Sequence, residues 1–199
     1  MEFTILPRQA YVRPEIQFDQ MEQIIIDKEI THLLALEVIE HTCHSPGEYI
    51  STVFVRKKKN GNYRMILNLK GLNEHIEYHH FKMDTLWSAV RLMTFNCFMA
   101  SLDLKDAYYS VPIANEHKKY LRFYWRGKLF QYTCMPNGLA SAPRYFTKLL
   151  KPVYSSLRKK GFLSVGYIDD SYLQGSNESE CARNVTHARA LFTDLGFVI

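Results

Sequence analysis

Tyr167-Ile168-Asp169-Asp170 constrains this chain more than any other stretch, because two adjacent acids sit between two apolar runs. Phe162-Leu163-Ser164-Val165-Gly166 precedes them and Ser171-Tyr172-Leu173-Gln174 follows. Two short apolar runs joined by a brief polar tip read as a β-hairpin, here with Asp169-Asp170 as the two-residue tip. That tip lacks the glycine that two-residue hairpin turns favour. Neighbouring carboxylates repel one another, and a cation between them offsets the cost. Hard carboxylate oxygens suit Mg²⁺. Taken alone, the pair is better explained as a solvated polar turn; a third carboxylate upstream shifts the balance.

That carboxylate is Asp103, which closes the run Phe98-Met99-Ala100-Ser101-Leu102. The run predicts a buried strand, and an acid at the end of a buried strand is costly unless paired or metal-bound. From Asp103 onward the elements read strand, hairpin over 121–134 turning at Arg126-Gly127, helix, the Asp-Asp hairpin, helix and strand. That order fits an α+β fold with an antiparallel, ferredoxin-like sheet backed by two helices. In such a sheet the Asp103 strand can lie beside the 169–170 hairpin, so that three carboxylates converge.

The remaining elements follow from periodicity and punctuation. Residues 1–18 read as an irregular lead-in. Asp19 and Glu22 form a capping pair for a helix over about 20–36, with Ile26, Ile30, Leu33 and Leu34 at helical spacing. Two β-rich runs, over 48–56 and 63–69, flank Lys59-Asn60-Gly61-Asn62, a strong hairpin signal. Asp84 is expected to cap a short helix through Met93 that buries Leu86, Ala89, Val90 and Met93. Pro143 suits the first turn of a long helix carrying Phe146, Leu149, Leu150, Val153 and Leu157, which Pro152 should kink or end early. A last helix over about 178–195 is expected to bury Ala182, Val185, Leu191 and Leu195, with Gly196 as its stop. Phe197-Val198-Ile199 begins another strand.

Charge narrows the partners. The 199 residues carry a formal net charge of +5, compatible with a polyanion. Arg56-Lys57-Lys58-Lys59 on one side of the Asn-Gly turn and Arg64 on the other could form a phosphate-gripping finger, Arg64 forking onto two oxygens. A charged hairpin that discourages edge pairing is an equally good reading. No run of about 18 apolar residues occurs, so no membrane span is predicted, and the N-terminus does not resemble a signal peptide. Four separated cysteines without a CxxC pair predict reduced intracellular thiols, with the choice of compartment, cytoplasm or nucleus, left open. His41, Cys43 and His44 lack a second ligand pair at a zinc-site spacing.

With these residues in place, the chain resembles a reverse transcriptase. Ser101-Leu102-Asp103-Leu104-Lys105-Asp106-Ala107-Tyr108-Tyr109-Ser110-Val111-Pro112 is similar to the family's first catalytic motif. Met135-Pro136-Asn137-Gly138-Leu139-Ala140-Ser141-Ala142-Pro143 is similar to its second and Tyr167-Ile168-Asp169-Asp170 to its third. Three motifs in order are a specific signal. Gly71-Leu72-Asn73-Glu74 and Tyr78-His79-His80-Phe81-Lys82-Met83 most resemble retrotransposons of the DIRS type.

The resemblance implies a right-hand polymerase with fingers (about 19–97 and 113–140) and palm (about 98–112 and 141–199), the thumb and RNase H domain absent. It makes Asp103, Asp169 and Asp170 the acidic triad holding two Mg²⁺ ions, for which Mn²⁺ can substitute. Asp103 and Asp169 would be direct ligands and Asp170 the less direct one. The backbone of Leu104, Lys105, Asp106 and Ala107 would cradle the triphosphate, and Tyr108 would exclude a 2′-hydroxyl. Lys58 and Arg64 would hold the triphosphate, Asn137 and Gly138 would approach the nascent pair, and Tyr167 and Ile168 would lie near the primer. The implied partners are dNTPs, an RNA or DNA template with its primer, and other retroelement domains. Asn137 stands where relatives often carry glutamine or phenylalanine, and Asn68 where aspartate is common. Two classes stay open: a polymerase core, or an inactive remnant that binds nucleic acid weakly or not at all.

Overall fold

The computed structural model describes residues 1–11, 14, 16–57, 61 and 63–199. Two compact units divide the chain, Met1–Tyr78 with Val111–Ala142, and His79–Ser110 with Pro143–Ile199.

In the first unit, α1 (Gln20–Ala35) opens with the expected reciprocal cap: Glu22 N–H donates to Asp19 Oδ1 at 2.8 Å and Asp19 N–H to Glu22 Oε2 at 3.1 Å. It buries Ile26, Ile30 and Leu33. Beside it lies a four-stranded sheet in the order β1 (Ile39–His41), β7 (Lys128–Tyr132), β6 (Arg122–Trp125), β2 (Ile50–Ser51). The β6–β7 hairpin turns at Arg126 (φ 49) and Gly127 (φ 71), a left-handed pair that matches strand twist. Asp27 of α1 holds this turn, accepting from Trp125 Nε1 at 2.7 Å and Arg126 Nη2 at 2.8 Å.

A separate hairpin pairs β3 (Val53–Lys57) with β4 (Tyr63–Leu67), Arg56 directly opposite Arg64. A one-turn helix, α2 (Lys70–Asn73), follows β4. The short helix α4 (Asn115–Lys118) leads into β6. The lead-in is tied down here as well: Phe3 bridges to Ile76, and the Gln9 amide bonds both the N–H and the C=O of Ile50, each at 2.8 Å.

The second unit is built on a three-stranded antiparallel sheet in the order β5 (Phe98–Asp103), β9 (Asp170–Gly175), β8 (Leu163–Tyr167). Two helices serve it, α5 (Ala142–Lys159) and α6 (Glu178–Asp194), with the shorter α3 (Leu86–Leu92) beside β8. Phe146, Leu157, Leu173 and Phe192 are fully buried among these elements.

Several expectations need correction. The hairpin tip is Ile168-Asp169, because Tyr167 pairs with Asp170, which is therefore the first residue of β9. The Asp103 strand is an edge strand, with Phe98 46% and Met99 57% exposed rather than buried. Thr85, not Asp84, caps α3, and Ser88 supplies the reciprocal bond. Of the residues expected to be buried on α3 only Ala89 is, while Leu86 is 75% exposed.

Pro152 does not end α5; it sits on the exposed side, where water can replace the lost amide donor. The buried face of α6 is Cys181, Asn184, Ala188 and Phe192, in place of the expected Ala182, Val185, Leu191 and Leu195. Asn184 is drawn inside because its amide caps two sheet carbonyls, Leu163 at 2.8 Å and Gln174 at 3.1 Å.

Candidate active site

The second unit gathers the three acids by strand register. Asp103 ends β5, and its partner across the ladder is Asp170, which begins β9. Asp169 occupies the tip between β8 and β9, and its carbonyl accepts from Leu104 N–H at 3.0 Å, which fastens the tip to the end of β5. The next residue, Lys105, donates its N–H to Val198 O at 2.8 Å, so the chain's last residues brace the same edge.

Backbone strain accompanies this arrangement. Ile168 adopts φ 55, a left-handed conformation that costs a β-branched residue about 1–3 kcal/mol. Beyond Lys105 the chain turns through Asp106 at φ 52, with Tyr109 N–H donating to Asp106 O at 2.8 Å. The turn feeds a short helical segment, Ala107–Ser110. Leu104 and Ala107 point inward, whereas Lys105 and Asp106 are exposed.

The electrostatics are those of crowded acid groups. Asp103, Asp169 and Asp170 are exposed, and among the described residues none forms an ion pair with a basic side chain. Partial burial and the charges of Asp169 and Asp103 push the Asp170 carboxyl above its ordinary value. The carboxylate oxygens of the three do not all lie within 4.8 Å of one another. A shared cation would therefore draw at least one exposed side chain inward by a rotamer change.

Tyr108 stands beside them, half-buried, its ring edge-on to Phe146 at 5.4 Å. Burial, then the charge of Asp169 and proximity to Tyr167, push its phenol up to about 12, so it stays neutral at physiological pH. Phe146 and Phe197 meet edge to face at 6.1 Å and Phe197 and Phe192 at 5.7 Å, an aromatic cluster next to Tyr108 in which Phe192 is the member that helical periodicity did not single out.

Tyr167 is exposed and Ile168 half-buried. A groove of about 720 Å³ in the same unit reaches Ile168 and is lined by Lys82, Asp84, Lys151, Tyr154 and Arg158 among others.

The other residues singled out in the sequence belong to the first unit. Lys58 lies outside the described residues. Arg64 is exposed on β4, facing Arg56 across the ladder. Like charges directly opposite one another destabilise a strand pair, a cost that a bound anion would offset. Asn137 and Gly138 form an exposed turn, Gly138 at φ 91.

The sequence matches the family described as reverse transcriptase (RNA-dependent DNA polymerase) over residues 55–199. This chain belongs to the reverse transcriptase family. Among curated relatives it is similar to the transposon Tf2-3 polyprotein of Schizosaccharomyces pombe, 27% identical over 130 residues that cover 64% of this chain and 10% of that protein. Polyprotein P3 of Commelina yellow mottle virus is 28% identical over 154 residues, covering 72% of this chain and 8% of the relative. The chain thus spans about a tenth of the length of the curated polyproteins it matches.

The fold is that of the prototype foamy virus protease–reverse transcriptase, with a TM-score of 0.82 at 20% identity over 99% of this chain and 26% of that one. The foamy viral enzyme in complex with an RNA/DNA hybrid aligns with a TM-score of 0.80 at 18% identity, over 98% of this chain and 25% of that one.

Proposed function

We propose that this chain carries the fingers and palm of an RNA-directed DNA polymerase, divided as 19–97 with 113–140 and 98–112 with 141–199. It would add deoxynucleotides to a primer 3′-hydroxyl under the direction of a template. The observation that carries this reading is the register pairing of Asp103 with Asp170, with Asp169 at the adjoining tip. Three acids that have no basic partner among the described residues, one of them raised by burial and by its neighbours' charge, make a donor set suited to hard divalent cations. Asp103 and Asp169 would hold Mg²⁺, or Mn²⁺ in its place, and Asp170 would complete the site.

When bound, two such ions would supply charge stabilisation for the attacking and leaving oxygens of phosphoryl transfer. The protein's own part is placement. The Leu104–Ala107 backbone, left-handed at Asp106, offers an exposed curve for a triphosphate. Tyr108, braced on Phe146, fills space that a 2′-hydroxyl would need. Arg64, with Lys58, grips phosphates, since the facing Arg56 leaves its charge unsatisfied on the ladder. Lys82, Lys151 and Arg158 give the groove beside Ile168 a basic wall for a nucleic-acid backbone, and Tyr167 and Ile168 lie toward the primer.

Solved relatives carry double-stranded DNA and RNA/DNA hybrid, which supports either nucleic acid as template. A retrotransposon polyprotein is the setting that the Tf2 relatives favour. A DIRS-type element is the narrower reading, on the 71–74 and 78–83 stretches.

Primer extension with purified protein and Mg²⁺ tests this. Asp103→Asn and Asp169→Asn should each lower the rate by about 10³-fold, because each removes a charge from the metal-binding set. Wild-type rates in either variant would remove that residue from the site.

A further inference from the structure

We infer that Asn73 is a positioning residue: its carboxamide clamps the Asn137–Ala140 turn and thereby sets how closely Gly138 approaches the nascent base pair. The turn's contact with the pair rests on the polymerase reading above; the clamp itself does not.

The geometry is specific. Asn73 Nδ2 donates to Gly138 O at 2.9 Å, and Ala140 N–H donates to Asn73 Oδ1 at 2.9 Å. One planar amide thus satisfies a carbonyl and an amide two residues apart, much as a neighbouring strand would. The pairing also fixes the orientation of the amide, since only the nitrogen can face a carbonyl and only the oxygen can face an N–H.

Both ends of the clamp are anchored. Asn73 closes α2, a single turn held down by Leu69 and Leu72, both buried, and by Asn73 N–H donating to Leu69 O at 2.8 Å. The N-terminal side of α2 is tied to β3's approach, where Asn68 N–H donates to Thr52 O at 2.8 Å. Gly71 packs close to Tyr49, whose hydroxyl would lie 2.3 Å from an added Cβ.

On the other side Leu139 and Met135 are buried, while Asn137 and Gly138 are exposed between them. At Gly138 an added Cβ would meet nothing within 4 Å. The outer face of the turn is therefore open, and its inner face is held through backbone groups, the Gly138 carbonyl and the Ala140 N–H. A turn open outward and latched inward has the form of a platform, its height set by the latch.

If the latch is lost, the turn keeps its buried anchors and the fold survives, but Gly138 gains freedom normal to its exposed face. A flat surface that judges base-pair shape then tolerates worse pairs, so selectivity should suffer more than turnover. Asn73→Asp separates the two bonds: the carboxylate still accepts from Ala140 N–H but can no longer donate to Gly138 O, and places negative charge beside that carbonyl.

The test combines amide hydrogen exchange with single-nucleotide incorporation on one preparation of the 199-residue chain, using a primed template with Mg²⁺ and matched or mismatched dNTPs. In Asn73→Ala, exchange at Ala140 should rise about 3- to 10-fold, as expected for loss of one ordinary hydrogen bond. In Asn73→Asp, Ala140 should stay protected. Both variants should raise misinsertion relative to correct insertion by about 3- to 10-fold through KM more than kcat, with thermal midpoints near that of the wild type. Unchanged exchange at Ala140 in Asn73→Ala overturns the clamp. Raised exchange with an unaltered misinsertion ratio overturns the positioning role. A wild-type chain that incorporates nothing sinks the polymerase reading and with it the role in selection, while the exchange result on the clamp stands apart from that failure.

Discussion

Asp103 and Asp170 face one another directly across the β5–β9 ladder, at the same end of the sheet. Two acids in that register repel and weaken the pairing of the strands that carry them. The hairpin adds strain at Ile168, whose φ of 55 is a left-handed value that β-branched residues avoid. Charge repulsion and backbone strain therefore meet within a few residues, beside a tip that Leu104 N–H fastens by its carbonyl. A chain selected for stability alone would hold a polar, uncharged pair there. The repulsion at this sheet end is a cost that a bound cation would offset.

The first prediction concerns stability against pH. The Asp170 carboxyl is raised by burial and by the charges of Asp169 and Asp103. An acid whose folded value lies above its unfolded one contributes stability at low pH that is lost as pH rises through the folded value. At neutral pH the ionised group is thus a net burden, and Asp170→Asn should raise the melting temperature there. The gain should stay below about 1 kcal/mol, since solvent screens an exposed carboxylate. It should vanish below the usual carboxylate range, where both forms are neutral. Added Mg²⁺ should stabilise the wild type more than the variant. A gain that persists unchanged in acid would show that the charge is not its source.

A second prediction concerns Gly166 on β8, two residues before the tip. A Cβ there would lie 2.1 to 2.4 Å from the Tyr154 ring and hydroxyl, which is buried and bonded to Ser171 Oγ at 2.7 Å. Gly166→Ala should cost about 1–3 kcal/mol by overpacking. Because β8 carries the tip, incorporation should fall as well. Replacing Tyr154 with a smaller apolar residue in the Gly166→Ala background should return part of the stability, as expected for two sites that share one space. A fully additive pair in chemical denaturation would count against the clash.

Sugar selection gives a third. Tyr108 is held edge-on to Phe146 at 5.4 Å and carries a neutral phenol, pushed up to about 12. Its proposed work is done by the ring. Tyr108→Phe should therefore keep discrimination against ribonucleotides, and Tyr108→Ala should relax it. Each ratio can be read from competing dNTP and rNTP incorporation. A Phe variant that loses selectivity would move the role from the ring to the hydroxyl.

What could be read from the chain was local, and what could not was tertiary. The Asp19–Glu22 cap and the Arg126-Gly127 turn depend on neighbours in sequence, and both stand where expected. The buried stripe on α6 differs from the expected one because Asn184 is buried for its bonds to Leu163 and Gln174 carbonyls, which no apolar period signals. The hairpin tip slipped for a related reason. Asp170 joins the ladder and Ile168 takes a left-handed conformation, although turn propensity would never choose isoleucine for that position. Asn73 read only as part of a family-like stretch, since its partners lie 65 and 67 residues away.

The last prediction lies in the first unit, away from the acids. Arg122 on β6 is 5% exposed, and all three nitrogens of its guanidinium donate hydrogen bonds. Nε donates to Gln131 Oε1 at 3.1 Å, Nη1 to Ser45 Oγ at 2.9 Å and to Glu48, and Nη2 to Thr42 Oγ1 at 3.2 Å. The Glu48 carboxylate also meets His44 Nδ1 at 2.5 Å, and His44 Nε2 meets the Tyr124 hydroxyl at 2.6 Å. Burial pushes the Glu48 carboxyl up, but hydrogen bonds from His44, Arg122 and the Ser45 amide outweigh it and hold the group below its ordinary value. Such a carboxylate contributes stability that is present above the unfolded value and lost as pH falls through the folded one. Arg122→Met removes the partner but leaves the acid, so at pH 7 the loss should reach about 3–5 kcal/mol, the cost of breaking a buried pair from one side. Arg122→Lys should recover only part of this, because an ammonium cannot serve four acceptors in one plane. As pH falls toward 3, Glu48 gains its proton more readily in Arg122→Met, where the guanidinium no longer holds the carboxyl low, so the gap between wild type and variant should narrow. Denaturant titrations of both proteins at the two pH values read this directly. An equal loss at pH 7 and pH 3 would assign Arg122 to packing alone and leave the ion pair without a measurable part in the stability of the sheet.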